Sequence, residues 1–172
     1  MRRTFVLAAT LIVLWAVVTE LNHGLTGWRG YLFVGGLYAV FAALLQPFRS
    51  GFATTVIGGL ICDAHAPTAL FGTHALLFAL AHVGVFHLRD RIPRDDTAAR
   101  IVVSLLTNLA LFLLFSFTQI HHSPAPATAW PRLFADLVGS QVFVALVTPW
   151  LFALQSRALV LAGVEREMHA ES

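Results

Sequence analysis

The sequence predicts an all-α membrane protein, a single bundle of about six transmembrane helices. Three observations predict it. Apolar residues make up 58% of the 172 and charged ones 12%, with a mean hydropathy of +0.76, too little polar surface to cover a water-soluble domain of this size. The apolar residues are gathered into runs near the length of about 20 residues that a helix needs to cross the hydrocarbon core. Every basic side chain is an arginine, and the arginines stand at the ends of those runs. The net charge of +2 and the pI near 9.3 therefore report membrane topology and not a nucleic-acid partner. Cys62 is the only cysteine, so no disulfide can form within the chain.

The first span is expected at residues 4–19. Arg2 and Arg3 before an apolar run resemble a secretory signal, but the run leads into Glu20 without a small-residue cleavage site, so an uncleaved helix is expected. A polar connection, ELNHGLTGWRG, separates it from a second span at 30–45. In that span Gly35, Ala39 and Ala43 repeat every four residues, a small-residue face on which another helix can pack closely. Residues 50–62 form a third, short segment, expected to thin the bilayer, sink into the bundle or run on into the following turn. The fourth span is placed at 69–88, and the polar loop RDRIPRDDTAAR follows, broken by Pro93. The fifth span is expected at 101–120. A proline-rich loop, HHSPAPATAWPR, then leads to the sixth at 133–154, and residues 155–172 are read as a short cytoplasmic tail. The whole is one integral membrane domain.

Six spans put both termini on one side. Arg2, Arg3, Arg49, Arg89, Arg91, Arg94, Arg100, Arg157 and Arg166 then share that side, and Arg29 and Arg132 lie opposite. So strong an asymmetry makes the termini cytoplasmic.

Candidate functional residues are few. Asp63, at the outer end of the third segment, has two readings: a group that binds a cation, a proton or a partner helix, or a structural helix cap. His74 and His82 lie eight residues apart, about 80° around a helix, which is not the spacing of a paired metal site. Hydrogen bonds from neutral histidines to neighbouring helices are expected in preference to a metal centre, and no cofactor is expected. Ser104, Thr107 and Asn108 share one face of the fifth span, as Asp136 and Ser140 do on the sixth. This polar seam either lines a substrate path or makes hydrogen bonds between helices. No G-x-S-x-G, H-E-x-x-H or Walker A motif occurs, and no charged residue stands at the middle of a span. Catalysis has no visible apparatus, so a non-enzymatic scaffold or a binding protein is expected.

The stretch GGLICDAHAPTALFGTHALLFALAH, residues 58–82, resembles the signature region of the MreD family of rod shape-determining inner-membrane proteins. Asp63 matches the family's acidic position, Gly72 the glycine that opens the next helix, and His74 with Ala75 and Leu76 the usual continuation. The basic loop after that helix and the final span GSQVFVALVTPWLF are also similar. The resemblance implies a scaffold of the bacterial cell-wall elongation machinery in the inner membrane. Its implied partners are MreC, RodA with its transpeptidase, and MreB directly or indirectly. Partner contacts or helix packing would then involve Asp63, Gly72, His74, Gly35, Ala39 and Ala43. The implied fold is similar to that of the substrate-binding subunits of energy-coupling-factor vitamin transporters. That similarity supplies the alternative expectation, a membrane subunit that captures a vitamin or other small molecule.

Overall fold

The computed structural model describes residues 2–28, 30–65, 71–93, 96–120 and 126–163, and all regular structure among them is helical. Six α-helices follow in order: α1 (Arg2–Leu25), α2 (Gly35–Leu45), α3 (Phe48–His65), α4 (Thr73–Leu88), α5 (Thr97–Ile120) and α6 (Pro126–Leu161). Short 3-10 turns, Thr26–Trp28 and Arg89–Arg91, follow α1 and α4.

The arrangement is that of a chain solvated by lipid. Large apolar side chains point outward on the long helices: Phe5 and Val13 on α1, Leu106 and Phe117 on α5, Val142, Leu146 and Trp150 on α6. Polar ones point inward, and His82, Ser104, Asn108, Ser140 and Thr148 have no exposed surface. In water that distribution would leave a broad apolar exterior exposed while polar groups are buried. Three helices, α1, α5 and α6, are long and apolar enough to cross a membrane within the described residues. The chain is a membrane protein on these grounds.

Helix α2 is the hub. Gly35 to Leu44 are all buried, and α2 packs against α3, α4, α5 and α6. Helices α3 and α4 form one antiparallel pair, α5 and α6 another, and α1 lies across α3 and α6. Two apolar clusters fill the interior. One, around Leu37, Tyr38, Phe78, Phe112 and Val144, occupies the half holding the start of α2. The other, around Leu7, Phe41, Leu44, Val85 and Phe152, lies towards the end where α1 begins.

The helix boundaries differ from those of the expected spans. The first helix runs to Leu25, not to residue 19, because the polar connection ELNHGL continues it. The second expected span, 30–45, is helical only from Gly35; residues 30–34 are not helical. The third segment is longer than the expected 50–62. At 18 residues it reaches about 27 Å, close to the thickness of the hydrocarbon core. The fourth helix begins at Thr73, not 69, after Gly72 turns the chain at a φ of 97°, a conformation that favours glycine. The fifth begins at Thr97, where Asp96 caps it by accepting from the Ala98 amide at 2.9 Å. The largest difference is α6. Half of the proline-rich loop belongs to it, since Pro126 is its first residue and needs no amide partner there. It also runs past 154 to Leu161, so the start of the tail is a helical extension of the sixth span, and its 36 residues cover about 54 Å.

Glycines set the closest crossings. A Cβ at Gly59 would stand 2.5 Å from Ala75 Cα, and one at Gly51 would stand 2.5 Å from Ala42 O, so α3 touches α4 and α2 through backbone. Ala39 and Ala43, from the small-residue face read in the sequence, are fully buried on α2. At Gly35 a Cβ would meet the Phe33 ring at 2.6 Å, and at neighbouring Gly36 it would meet Ser104 O of α5 at 2.7 Å. Gly36, about 100° around the helix from Gly35, faces α5 and was not among the expected small-residue positions.

Gly59→Ala should therefore destabilise the protein by about 1–3 kcal/mol, because backbone cannot yield as a side chain can. Gly84→Ala, whose Cβ meets nothing within 4 Å, should be neutral or stabilising by up to about 1 kcal/mol. Thermal unfolding of the two variants in one detergent checks the contrast.

Candidate functional site

Two polar constructions flank one cavity at the end of the bundle away from the start of α1. The first is the hairpin of α3 and α4. Helix α4 begins after Gly72, which has no side chain to accept the amides of the first turn. Asp63, two residues before the end of α3, does so instead. Its Oδ1 accepts from the His74 amide at 2.9 Å and its Oδ2 from the Ala75 amide at 3.0 Å. His74 Nδ1 stands 2.9 Å from Oδ1 as well, and because an ionised carboxylate only accepts, Nδ1 is the donor. The Asp63 side chain has no exposed surface. Its charge lies at the positive end of the α4 dipole, with three donors on two oxygens, an arrangement that makes a buried carboxylate tolerable. Asp63, Gly72 and His74, separate candidates in the sequence, thus form one connected unit.

The second construction is the stretch 30–34. Non-helical backbone is tolerated inside a membrane bundle only when its amides and carbonyls find partners. Side chains from three helices supply them. Asn22 of α1 pairs with Leu32 in both directions, accepting its amide at 2.7 Å and donating to its carbonyl at 3.0 Å. Asp136 Oδ1 of α6 accepts from Tyr31 N at 2.9 Å, and Ser140 Oγ accepts from Phe33 N at 2.9 Å. Asn108 of α5 donates to Phe33 O at 3.1 Å and accepts from Gly36 N at 3.0 Å, which also caps α2. The opposite end of α2 is met by Arg89, whose Nη1 donates to Gln46 O at 3.1 Å while its guanidinium lies 3.8 Å from the centre of the Phe86 ring. Both ends of the central helix are thus bonded by other elements.

The polar seam read in the sequence divides accordingly. Asn108, Asp136 and Ser140 converge on residues 31–36. Ser104 is fully buried beside Gly36, and Thr107 is buried on the same helix. Asn22, in the sequence one of several polar residues of an outer connection, is the fourth side chain that holds this stretch. It stands in a stretch read as a connecting loop, and its signal is an amide side chain four residues beyond Val18, which is itself in the core. The histidines go separate ways. His82 is fully buried with Nδ1 3.2 Å from Thr55 Oγ1 of α3. His65 packs against Trp15, ring centres 4.3 Å apart and the planes tilted by 45°. Among the described residues no group of three or more His, Cys, Asp or Glu is placed to hold a metal ion. His121 and His122 lie outside the described residues.

Between these constructions lies a cavity of about 390 Å³. The outer half of α1, residues 31–35, the end of α3 and the start of α4 line it, with Phe115 of α5. Its volume falls within the range of small-molecule sites. Comparison with protein-family models, with curated proteins and with solved structures gives no match.

Asn108→Leu should cost about 2–5 kcal/mol, since a buried carbonyl and a buried amide lose their partners together. Asp63→Leu should cost more than about 3 kcal/mol, as three charge-assisted bonds vanish. Asp63→Asn, which keeps one acceptor oxygen, should fall between Asp63→Leu and the wild type. Unfolding midpoints of the detergent-solubilised variants give the order.

Proposed function

We propose that the chain is a non-enzymatic membrane scaffold of the bacterial cell-wall elongation machinery, resident in the inner membrane with both termini cytoplasmic. Its proposed partners are MreC, RodA with its transpeptidase, and MreB directly or through them. The observation that carries the reading is the Asp63–Gly72–His74 unit. The residues on which the resemblance to the MreD family rests are also those that fix the angle between α3 and α4. Asp63 itself is spent within the chain, so it acts on a partner by orienting these two helices and not by touching it. The arginines support the orientation. Arg2, Arg3, Arg49, Arg89, Arg91, Arg100 and Arg157 all lie at or near helix ends on the side where α1 begins, and Arg132 lies opposite.

A second reading, capture of a small molecule by a transporter subunit, is favoured by the cavity of about 390 Å³. The two readings differ in what accompanies the protein.

Purification of the full chain in mild detergent, with mass spectrometry of what co-purifies, tests them. The scaffold reading expects MreC or RodA. Recovery of an ATPase with a transmembrane coupling subunit would replace it by the transport reading. Asp63→Leu should lower partner recovery several-fold while the amount inserted into the membrane falls less. Unchanged recovery would count against the hairpin's role.

A further inference from the structure

The cavity has a chemistry of its own. None of the described residues lining it is Arg, Lys, Asp or Glu. Two carboxylates stand behind the lining: Asp63 has both oxygens engaged and no exposed surface, and Asp136 accepts from the Tyr31 amide with Oδ1 while its Oδ2 lies 3.8 Å from Arg132 Nε. A charged ligand would leave water without a counter-charge to meet it, at a cost that grows as the site dries. An uncharged ligand meets no such penalty.

The walls are rings from several elements. Tyr38 of α2 stacks on Phe78 of α4 with centres 5.5 Å apart, and Phe33 stacks on Phe115 of α5 at 5.8 Å. Trp15 of α1 and His65 of α3 make a third pair, and all six rings line the cavity. These pairs hold one another, so the walls are built before any ligand arrives and little ordering is required on binding. Aromatic walls favour a ring over a flexible chain, because ring-on-ring contact adds about 0.5–1.5 kcal/mol beyond area burial. Polar groups are few and placed. His74 gives Nδ1–H to Asp63, so in the neutral ring Nε2 is an acceptor. Tyr31 and Tyr38 bring phenols and Cys62 a thiol. Asn22 is occupied by Leu32 on both its oxygen and its nitrogen, so it serves as wall and not as ligand contact.

We propose that this cavity is a binding site for an uncharged small molecule built on a flat aromatic ring that carries a hydrogen-bond donor. The inference rests on the capture reading for its biological sense, but it requires no transporter. Absence of an ATPase module would end the transport reading and leave the site standing; absence of binding would end the site and leave the scaffold untouched.

The test is equilibrium dialysis of the full chain in nanodiscs, with empty nanodiscs as reference. Four probes are compared: indole, which is flat, uncharged and a donor; benzoate, flat and anionic; choline, cationic; and 1-octanol, uncharged and flexible. Indole should bind saturably, one per chain, at least tenfold more tightly than the other three. Thr19→Trp, which places a bulky side chain in the cavity wall, should weaken indole at least tenfold. Val142→Trp on the outward face of α6 should leave it unchanged. Uptake equal to that of empty nanodiscs would overturn the proposal, as would equal binding of any other probe or indolence of the site towards Thr19→Trp. Should Thr19→Trp not fold, the order of the four probes on the wild-type protein decides alone.

Discussion

Everything in this bundle answers to one constraint: a stretch of non-helical backbone inside a membrane protein must have its amides and carbonyls satisfied by the protein itself. Residues 30–34 are that stretch. Tyr31, Leu32 and Phe33 bond the side chains of Asn22, Asn108, Asp136 and Ser140, drawn from α1, α5 and α6, while Gly30 N and Val34 O bond backbone. Because each partner sits on a different helix, satisfying the backbone also fixes where those helices stand. Helix α2 then begins at a defined height, close enough to α5 that Gly36 leaves no room for a side chain. A five-residue stretch thereby positions the hub of the fold and one wall of the cavity.

The same logic operates at the α3–α4 turn. A glycine opens α4 because the chain there adopts a left-handed conformation, and it has no side chain to accept the first-turn amides. Asp63 serves as the cap from the neighbouring helix, so turn geometry and interhelical bonding become one feature. Arg89 repeats the pattern at the far end of α2. In the sequence Arg89 belongs to a topogenic basic loop; in the fold the same charge also closes the hub helix. A cation at a helix C-terminus also meets the negative end of the helix dipole.

The existence and order of the helices were legible, since apolar runs of near-span length between polar punctuation have few other solutions. Boundaries were less so, for physical reasons. Tyr31-Leu32-Phe33-Val34 reads as helix because its side chains are apolar; what keeps it unwound lies on three other helices, at residues up to 107 positions away. Helix α6 starts within a proline-rich stretch because Pro126 occupies the first turn, where proline is harmless, and a count of prolines does not distinguish that place from a loop. Asp63 could be read as a cap or as a functional acid, and only coordinates show that its donors belong to α4. Asn108, Asp136 and Ser140 were visible as a seam, but their target was backbone, which carries no sequence signal. A cavity was expected only through the resemblance; its lining, drawn from residues 31–34 and five helices, carried no signal of its own.

The account stands or falls on residues 30–36. Hydrogen–deuterium exchange, resolved to single amides in the wild-type protein in nanodiscs, tests it most directly. Amides of Tyr31, Leu32, Phe33 and Gly36 should be protected to the degree of the amides inside α2, because each has a buried or half-buried side-chain acceptor. Exchange of these four amides at the rate of an open loop would show that the stretch is not held by Asn22, Asn108, Asp136 and Ser140, and the hub would need another explanation.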